Sequence, residues 1–262
     1  MYMVISFANQ KGGVGKTTTT LNIAASLAKD GKKILALDLD PQANLTSGLG
    51  VELKKDESSI YEAISSAAEG KEDSDLNLAI LDESRIGIDG LGLVPSRIEL
   101  AGAEIELVNA ISREQTVKNL LEPLRKNYDY ILIDCPPSLG LLTINALAAA
   151  DSVIIPVQAE YFALEGLSQL LNTFKLVKNK INPNLQLMGI AITMYDARTN
   201  LAKEVAKELV ETFPDKVFNT IIPRNIRLSE APSHGKPVSY YAPDSQGAVS
   251  YQALAEEIKA KT

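Results

Sequence analysis

The chain has 262 residues, 26 basic and 33 acidic, with a formal net charge of −7 and 45% hydrophobic content. That is enough apolar material for one large α/β core, and the acidic balance argues against a globally basic nucleic-acid or anionic-membrane binder, leaving DNA only a local basic face. The single cysteine, Cys135, excludes an internal disulfide framework or a Cys-rich metal site within one chain; no apolar run approaches the ~20 residues that span a bilayer, and the N-terminus lacks a signal-peptide pattern.

Read in chain order, an apolar strand over Met3–Ala8 runs into Asn9-Gln-Lys-Gly-Gly-Val-Gly-Lys-Thr-Thr18, and a helix follows over Thr17–Lys29. A strand, a glycine turn and a helix start make a phosphate cradle. Glycines let backbone N–H groups approach phosphate oxygens, and the helix end adds partial positive charge. The backbone of Gly12, Gly13, Val14, Gly15, Lys16, Thr17 and Thr18 would wrap the phosphates. Lys16 would reach the outer ones and the Thr17 hydroxyl would hold Mg²⁺. The usual pattern begins with glycine five residues before Gly15, where this chain has Gln10, and it carries a second lysine, Lys11.

The next strand, Lys33–Leu37, leads into Asp38-Leu-Asp40-Pro41-Gln42. Residues two apart on a strand face one side, so Asp38 and Asp40 could both face the phosphates. One carboxylate there can orient the attacking water and another can act through Mg²⁺-bound water. The alternative is that both are loop acids capping the next helix. Glu52 to Asp89 is weakly patterned, with an acidic run over Glu69–Asp75, and reads as a solvated excursion with a short helix near Ile60–Ala67.

Further strands are expected at Gly90–Val94, Tyr130–Ile133, Ser152–Val157, Leu187–Thr193 and Val217–Ile222. Helices are expected at Ser112–Lys126, Leu141–Ala149, Ala163–Lys180, Asn200–Phe213 and Gln246–Lys261. The alternation implies an α/β fold, a doubly wound, mostly parallel sheet flanked by helices, with ligands at the C-terminal strand ends. Asp134 ends an apolar strand there, and Pro136-Pro137 stops it. Cys135 reads as a small buried filler. His234, the only histidine, reads as a structural loop residue.

The loop Lys-Gly-Gly-Val-Gly-Lys-Thr-Thr, the acids of Leu-Asp38-Leu-Asp40-Pro-Gln, and Ile-Asp134-Cys-Pro-Pro together resemble the deviant Walker A loop and acidic motifs of the ParA/MinD P-loop ATPases. Asp40–Gly50, Leu100–Leu107, Glu165–Leu170 and Ile222–Pro237 are similar to the chromosomal ParA partitioning proteins. The resemblance covers nearly the whole chain and implies one P-loop ATPase domain over 1–262. It implies a cytoplasmic, nucleoid-associated switch that takes ATP and Mg²⁺, forms a homodimer around two ATP molecules, and is stimulated by a ParB-type centromere-binding partner.

Residue by residue, the resemblance implies that Lys11 crosses the interface to the partner's phosphates. It makes Asp40 the water-positioning acid and has Asp134 support Mg²⁺ with Thr17. Pro223 and Asn225 match adenine-contacting positions. Arg198 and Arg227, joined by Arg224 and lysines such as Lys203 and Lys236, match residues that bind double-stranded DNA nonspecifically. A MinD-like membrane cycle is the second reading; it uses a basic amphipathic C-terminal helix, whereas Val249–Thr262 carries both charge signs and reads as a core-packing helix. A nitrogenase-type reductase needs two cluster cysteines where one is present. An ATP-dependent synthase lacks an evident second substrate site.

Overall fold

The computed structural model describes residues 2–71, 75–161 and 163–262. Among these residues six strands form one parallel sheet: β1 (Met3–Phe7), β2 (Ile34–Asp38), β3 (Leu91–Val94), β4 (Tyr130–Asp134), β5 (Ser152–Gln158) and β6 (Gln186–Thr193), in the order β3-β2-β4-β1-β5-β6. Alternate strand residues enter opposite cores. Leu35, Leu37, Ile131 and Ile133 pack on one face, and Ile34, Ala36, Tyr130 and Leu132 on the other. This explains the near-continuous apolar strands, since both faces are covered.

The helices are α1 (Lys16–Lys29), α2 (Asn44–Gly48), α3 (Ile60–Ala68), α4 (Glu83–Ile86), α5 (Leu100–Leu107), α6 (Thr116–Leu121), α7 (Leu141–Ala149), α8 (Ala163–Lys180), α9 (Asn200–Thr212), α10 (Ile226–Glu230), α11 (Val238–Tyr241) and α12 (Gln246–Ala260). α1 and α12 pack together on one side of the sheet, where Leu27, Leu254 and Ile258 are fully buried. α12 thus spends its apolar face on the core, as its mixed charges suggested. Among the described residues no helix is long and apolar enough to cross a membrane.

Chain direction fixes the ligand position. From β1 the chain crosses over β4 to β2, and from β4 it crosses over β1 to β5. The two connections leave in opposite directions and open a crevice at the C-terminal ends of β1 and β4. The register brings Phe7, Asp38 and Asp134 level at that edge.

Three expectations are corrected. Val217–Ile222 is not a strand: Val217 meets β6 through an isolated bridge to Ile190, and Pro223, just past the segment, bridges Tyr195 beyond the end of β6. Between them the amides of Asn219 and Thr220 donate to the Glu257 carboxylate at 2.9 and 2.6 Å, so no continuous ladder forms. The helix expected over Ser112–Lys126 divides into a 3-10 turn at Arg113–Gln115, α6, and a second 3-10 segment at Glu122–Asn127. Pro123, which has no N–H, sits at the start of the last. The excursion after Glu52, expected as solvated, instead buries Ile60, Ile64, Leu76 and Ala79 in the core; its short helix is where it was expected, as α3, whose start is set by a capping box: Glu62 accepts from the Ser59 amide at 2.7 Å and Ser59 Oγ from the Tyr61 amide at 3.2 Å. Of the acidic run Glu69–Asp75, residues 72–74 lie outside the described residues.

Candidate functional site

The loop after β1 turns on two glycines in the left-handed region, Gly13 (φ 74°) and Gly15 (φ 86°), and Gly15 is the N-cap of α1. That leaves the first-turn amides of α1 facing the crevice, the arrangement that holds an anion. Lys16 follows. It is 6% exposed, and its ammonium donates to the Lys11 carbonyl at 3.2 Å. Burial lowers the Lys16 pKa, against the attraction of Asp134 and Asp40.

Asp134 is fully buried, and its carboxyl is held well above the usual range by burial and by the neighbouring Asp38, against Lys16 and a Thr17 hydrogen bond. Oδ1 accepts from Thr20 Oγ1 at 3.4 Å, while Oδ2 has no partner among the described residues. A buried orphan carboxylate oxygen beside a threonine hydroxyl and an ammonium fits a magnesium nucleotide: a divalent cation would satisfy the oxygen and offset the cost of its burial.

The two other acids part company. Asp40 is 5% exposed, its Oδ1 accepts from the Gln42 amide at 2.9 Å, and it lines the phosphate-side cavity. Asp38, expected as a second Mg²⁺-side carboxylate, has both oxygens engaged. Oδ2 accepts from the Thr46 amide at 2.8 Å and the Thr46 hydroxyl at 2.7 Å, and Oδ1 from the Asp40 amide at 3.2 Å. It therefore anchors the 40–46 turn that presents Asp40. Burial pushes its pKa up to about 6.

Two cavities meet over Gly15. One, of about 390 Å³, is bordered by Gly12, Gly13, Lys16, Thr17, Asp40 and Pro137. The other, of about 610 Å³, is bordered by Pro223, Arg224, Asn225 and Tyr251. Gly15, Thr18, Met194 and Pro232 line both, so the phosphate cradle and the Pro223–Asn225 wall form one trough. Asn225 caps α10, its side-chain oxygen accepting from the Arg227 amide at 2.8 Å.

Lys11 turns out of this trough. Its Nζ pairs with Glu160 Oε2 at 2.7 Å, and the two side chains are 39% and 45% exposed. Arg198 is 87% exposed, with Nε and Nη2 forked onto Asp196 at 2.9 and 2.7 Å. Arg227 Nη1 pairs with Glu230 at 2.8 Å, and exposed Arg224 lies close enough to Asp196 to lower its pKa. The three arginines thus occupy neighbouring segments, each near a carboxylate, with Arg224 on the wall of the trough and Arg198 and Arg227 outside its lining. Lys203 and Lys236 are exposed.

Cys135 is fully buried and burial pushes its thiol pKa up, which suits a filler and not a nucleophile. His234 stacks on Tyr241 with ring centroids 4.7 Å apart, outside both cavities. Sequence reasoning missed Glu160, Met194 and Tyr251. Glu160 gave a signal, an acid just past a strand end, the same one that marked Asp134. Met194, which holds φ 50°, and Tyr251, in a helix 232 residues from the Thr19 hydroxyl it meets at 3.2 Å, gave none.

A family model described as an AAA domain matches residues 2–187. The sporulation initiation inhibitor protein Soj of Bacillus subtilis is 54% identical over 260 residues, 99% of each chain. The chromosome partitioning protein ParA of Myxococcus xanthus is 50% identical over 255 residues, 97% of this chain and 87% of that one. Among solved structures, the cobyrinic acid a,c-diamide synthase of Mycobacterium smegmatis with bound ADP and magnesium superposes with a TM-score of 0.82 at 36% identity, covering 98% of this chain and 93% of that one. Taken with the glycine loop, its two lysines and the buried Asp134, these likenesses mean that the chain belongs to the ParA/MinD family of P-loop ATPases, in its Soj-like branch.

Proposed function

We propose that this chain is an ATP-driven partitioning switch: it binds ATP with Mg²⁺, closes into a sandwich homodimer, holds DNA without sequence preference, and lets go when a ParB-type partner stimulates hydrolysis. The observation that carries the reading is the division of labour between the two loop lysines. Lys16 is buried among Asp134, Asp40 and the loop carbonyls, while Lys11 reaches outward to a half-exposed glutamate. A cation on the outer rim is placed to meet a second copy, where it would act as an arginine finger does.

Within one subunit, Lys16 and the α1 amides hold the phosphates. Thr17 and Asp134 hold the cation, which when bound neutralises charge developing on the phosphoryl oxygens. Asp40, fixed by Asp38 through the 40–46 turn, orients the water. Pro223 and Asn225 border the base. Arg198, Arg224 and Arg227 supply the phosphate-neutralising face, and pairing two subunits doubles it. The partitioning names of relatives at 50–54% identity support this role over the synthase activity named for a structure at 36%.

Light scattering behind a sizing column tests the dimer. Mg-ATP should double the mass of Asp40→Ala, while Mg-ADP should leave it monomeric. Lys11→Ala should bind ATP and stay monomeric. A Lys11→Ala dimer as stable as that of Asp40→Ala would sink the trans role.

A further inference from the structure

We propose that Thr193, the last residue of β6, is a positioning residue for the phosphate loop, acting as a lock on one peptide plane. Its side chain is 1% exposed, and its hydroxyl donates to the Val14 carbonyl at 2.7 Å, a buried bond spanning 179 residues of sequence.

The Val14 carbonyl and the Gly15 amide belong to the same peptide unit. The chain has no cis peptides among the described residues, and in a trans peptide the C=O and N–H point in opposite directions. Holding the Val14 oxygen on Thr193 therefore fixes the direction of the Gly15 N–H, at the residue where the two halves of the trough meet.

The covalent chain does not hold this plane by itself. Flipping it changes ψ of Val14 and φ of Gly15, and glycine tolerates either sign of φ. A flipped plane would turn a carbonyl oxygen toward the phosphates where a donor is needed, exchanging attraction for repulsion. Packing supports the hydroxyl. A Cβ built on Gly15 would lie 3.7 Å from Thr193 Cβ and Cγ2 and 3.6 Å from Met194 Cε, so the end of β6 fits closely against this glycine.

This inference rests on the nucleotide-binding reading. The probe is Mg-ADP, titrated into full-length wild type, Thr193→Val, Thr193→Ala and Thr193→Ser. Valine keeps the shape and removes the donor; serine keeps the donor. The Kd should rise about tenfold in Thr193→Val, the effect of losing one hydrogen bond, and Thr193→Ser should stay within about threefold of wild type. With ATP, the KM of Thr193→Val should rise while kcat at saturation changes less than about twofold, because the lock serves binding of ground and transition states alike. A purely structural hydroxyl would lower the melting temperature and leave the Kd of the folded protein unchanged. A wild-type Kd in folded Thr193→Val overturns the lock, as does a serine variant as weak as valine. If neither valine nor alanine folds, the hydroxyl serves the fold and the proposal fails. A wild-type protein that binds no nucleotide overturns the underlying reading instead.

Discussion

Lys11 and Glu160 meet at 2.7 Å on the rim of the nucleotide trough, joining the phosphate loop to the turn after β5. Half-exposed pairs contribute about 0.2–1 kcal/mol, so this contact parks the lysine without binding it tightly. Glu160→Gln should leave the melting temperature nearly unchanged and tighten the ATP-dependent dimer by a few fold, because Lys11 no longer has to leave a carboxylate. Sedimentation equilibrium with Mg-ATP reads this directly. A weaker dimer would show that Glu160 acts within the interface itself.

Lys16→Ala should abolish nucleotide binding. Lys16 is the cation buried at the loop, beside Asp134, and among the described residues no other lysine lines either cavity. Calorimetry with Mg-ADP checks the point, and ATP turnover at the wild-type rate would overturn the site assignment.

Asp40→Ala should bind ATP normally and lose hydrolysis by at least about 100-fold, the scale of general acid–base or water-positioning contributions. It should remain on DNA once loaded. Wild-type turnover in this variant would remove Asp40 from the chemistry.

Asp38 gives a pH signature. Its folded pKa is raised from 3.8 to about 6 by burial, so the folded state binds the proton more tightly than the unfolded state does. The associated stability is complete below pH 3.8 and is lost as pH rises through about 6. Two units correspond to about 3 kcal/mol. Nucleotide-free wild type should therefore lose stability relative to Asp38→Asn between pH 4 and pH 6.5, measured by urea titration. A wild-type advantage that grows across that window would contradict the buried-carboxyl account.

Arg198→Glu combined with Arg227→Glu should lose DNA binding and keep ATP-dependent dimerisation. The two side chains are exposed, and their ion pairs are with the local carboxylates Asp196 and Glu230, so little of the fold rests on them. Undiminished DNA binding would place the basic face elsewhere.

The sheet was legible because its strands are covered on both sides and so read as unbroken apolar runs; five of the expected strands fall within a residue or two of β1, β2, β3, β4 and β5, and β6 begins one residue early. Val217–Ile222 was misread because apolar content does not reveal that Glu257 takes the amides of Asn219 and Thr220. That Lys16, Thr17 and Asp134 gather at one crevice was legible because phosphate chemistry restricts residue type and spacing. Asp38 was not, because a strand pattern puts it on the same side as Asp40 and cannot show that Thr46 occupies one of its oxygens and the Asp40 amide the other. Thr193 and Met194 were invisible, since their roles come from a β6 end that meets the loop only in the folded sheet.

Binding to two unrelated DNA duplexes, with no nucleotide, Mg-ADP or Mg-ATP across a salt series, tests the central claim most directly. Binding should occur with Mg-ATP alone, be equal on both duplexes, and fall steeply with salt as phosphate contacts require. Binding of equal strength in all three nucleotide states, or none in any, would contradict an ATP-driven DNA switch.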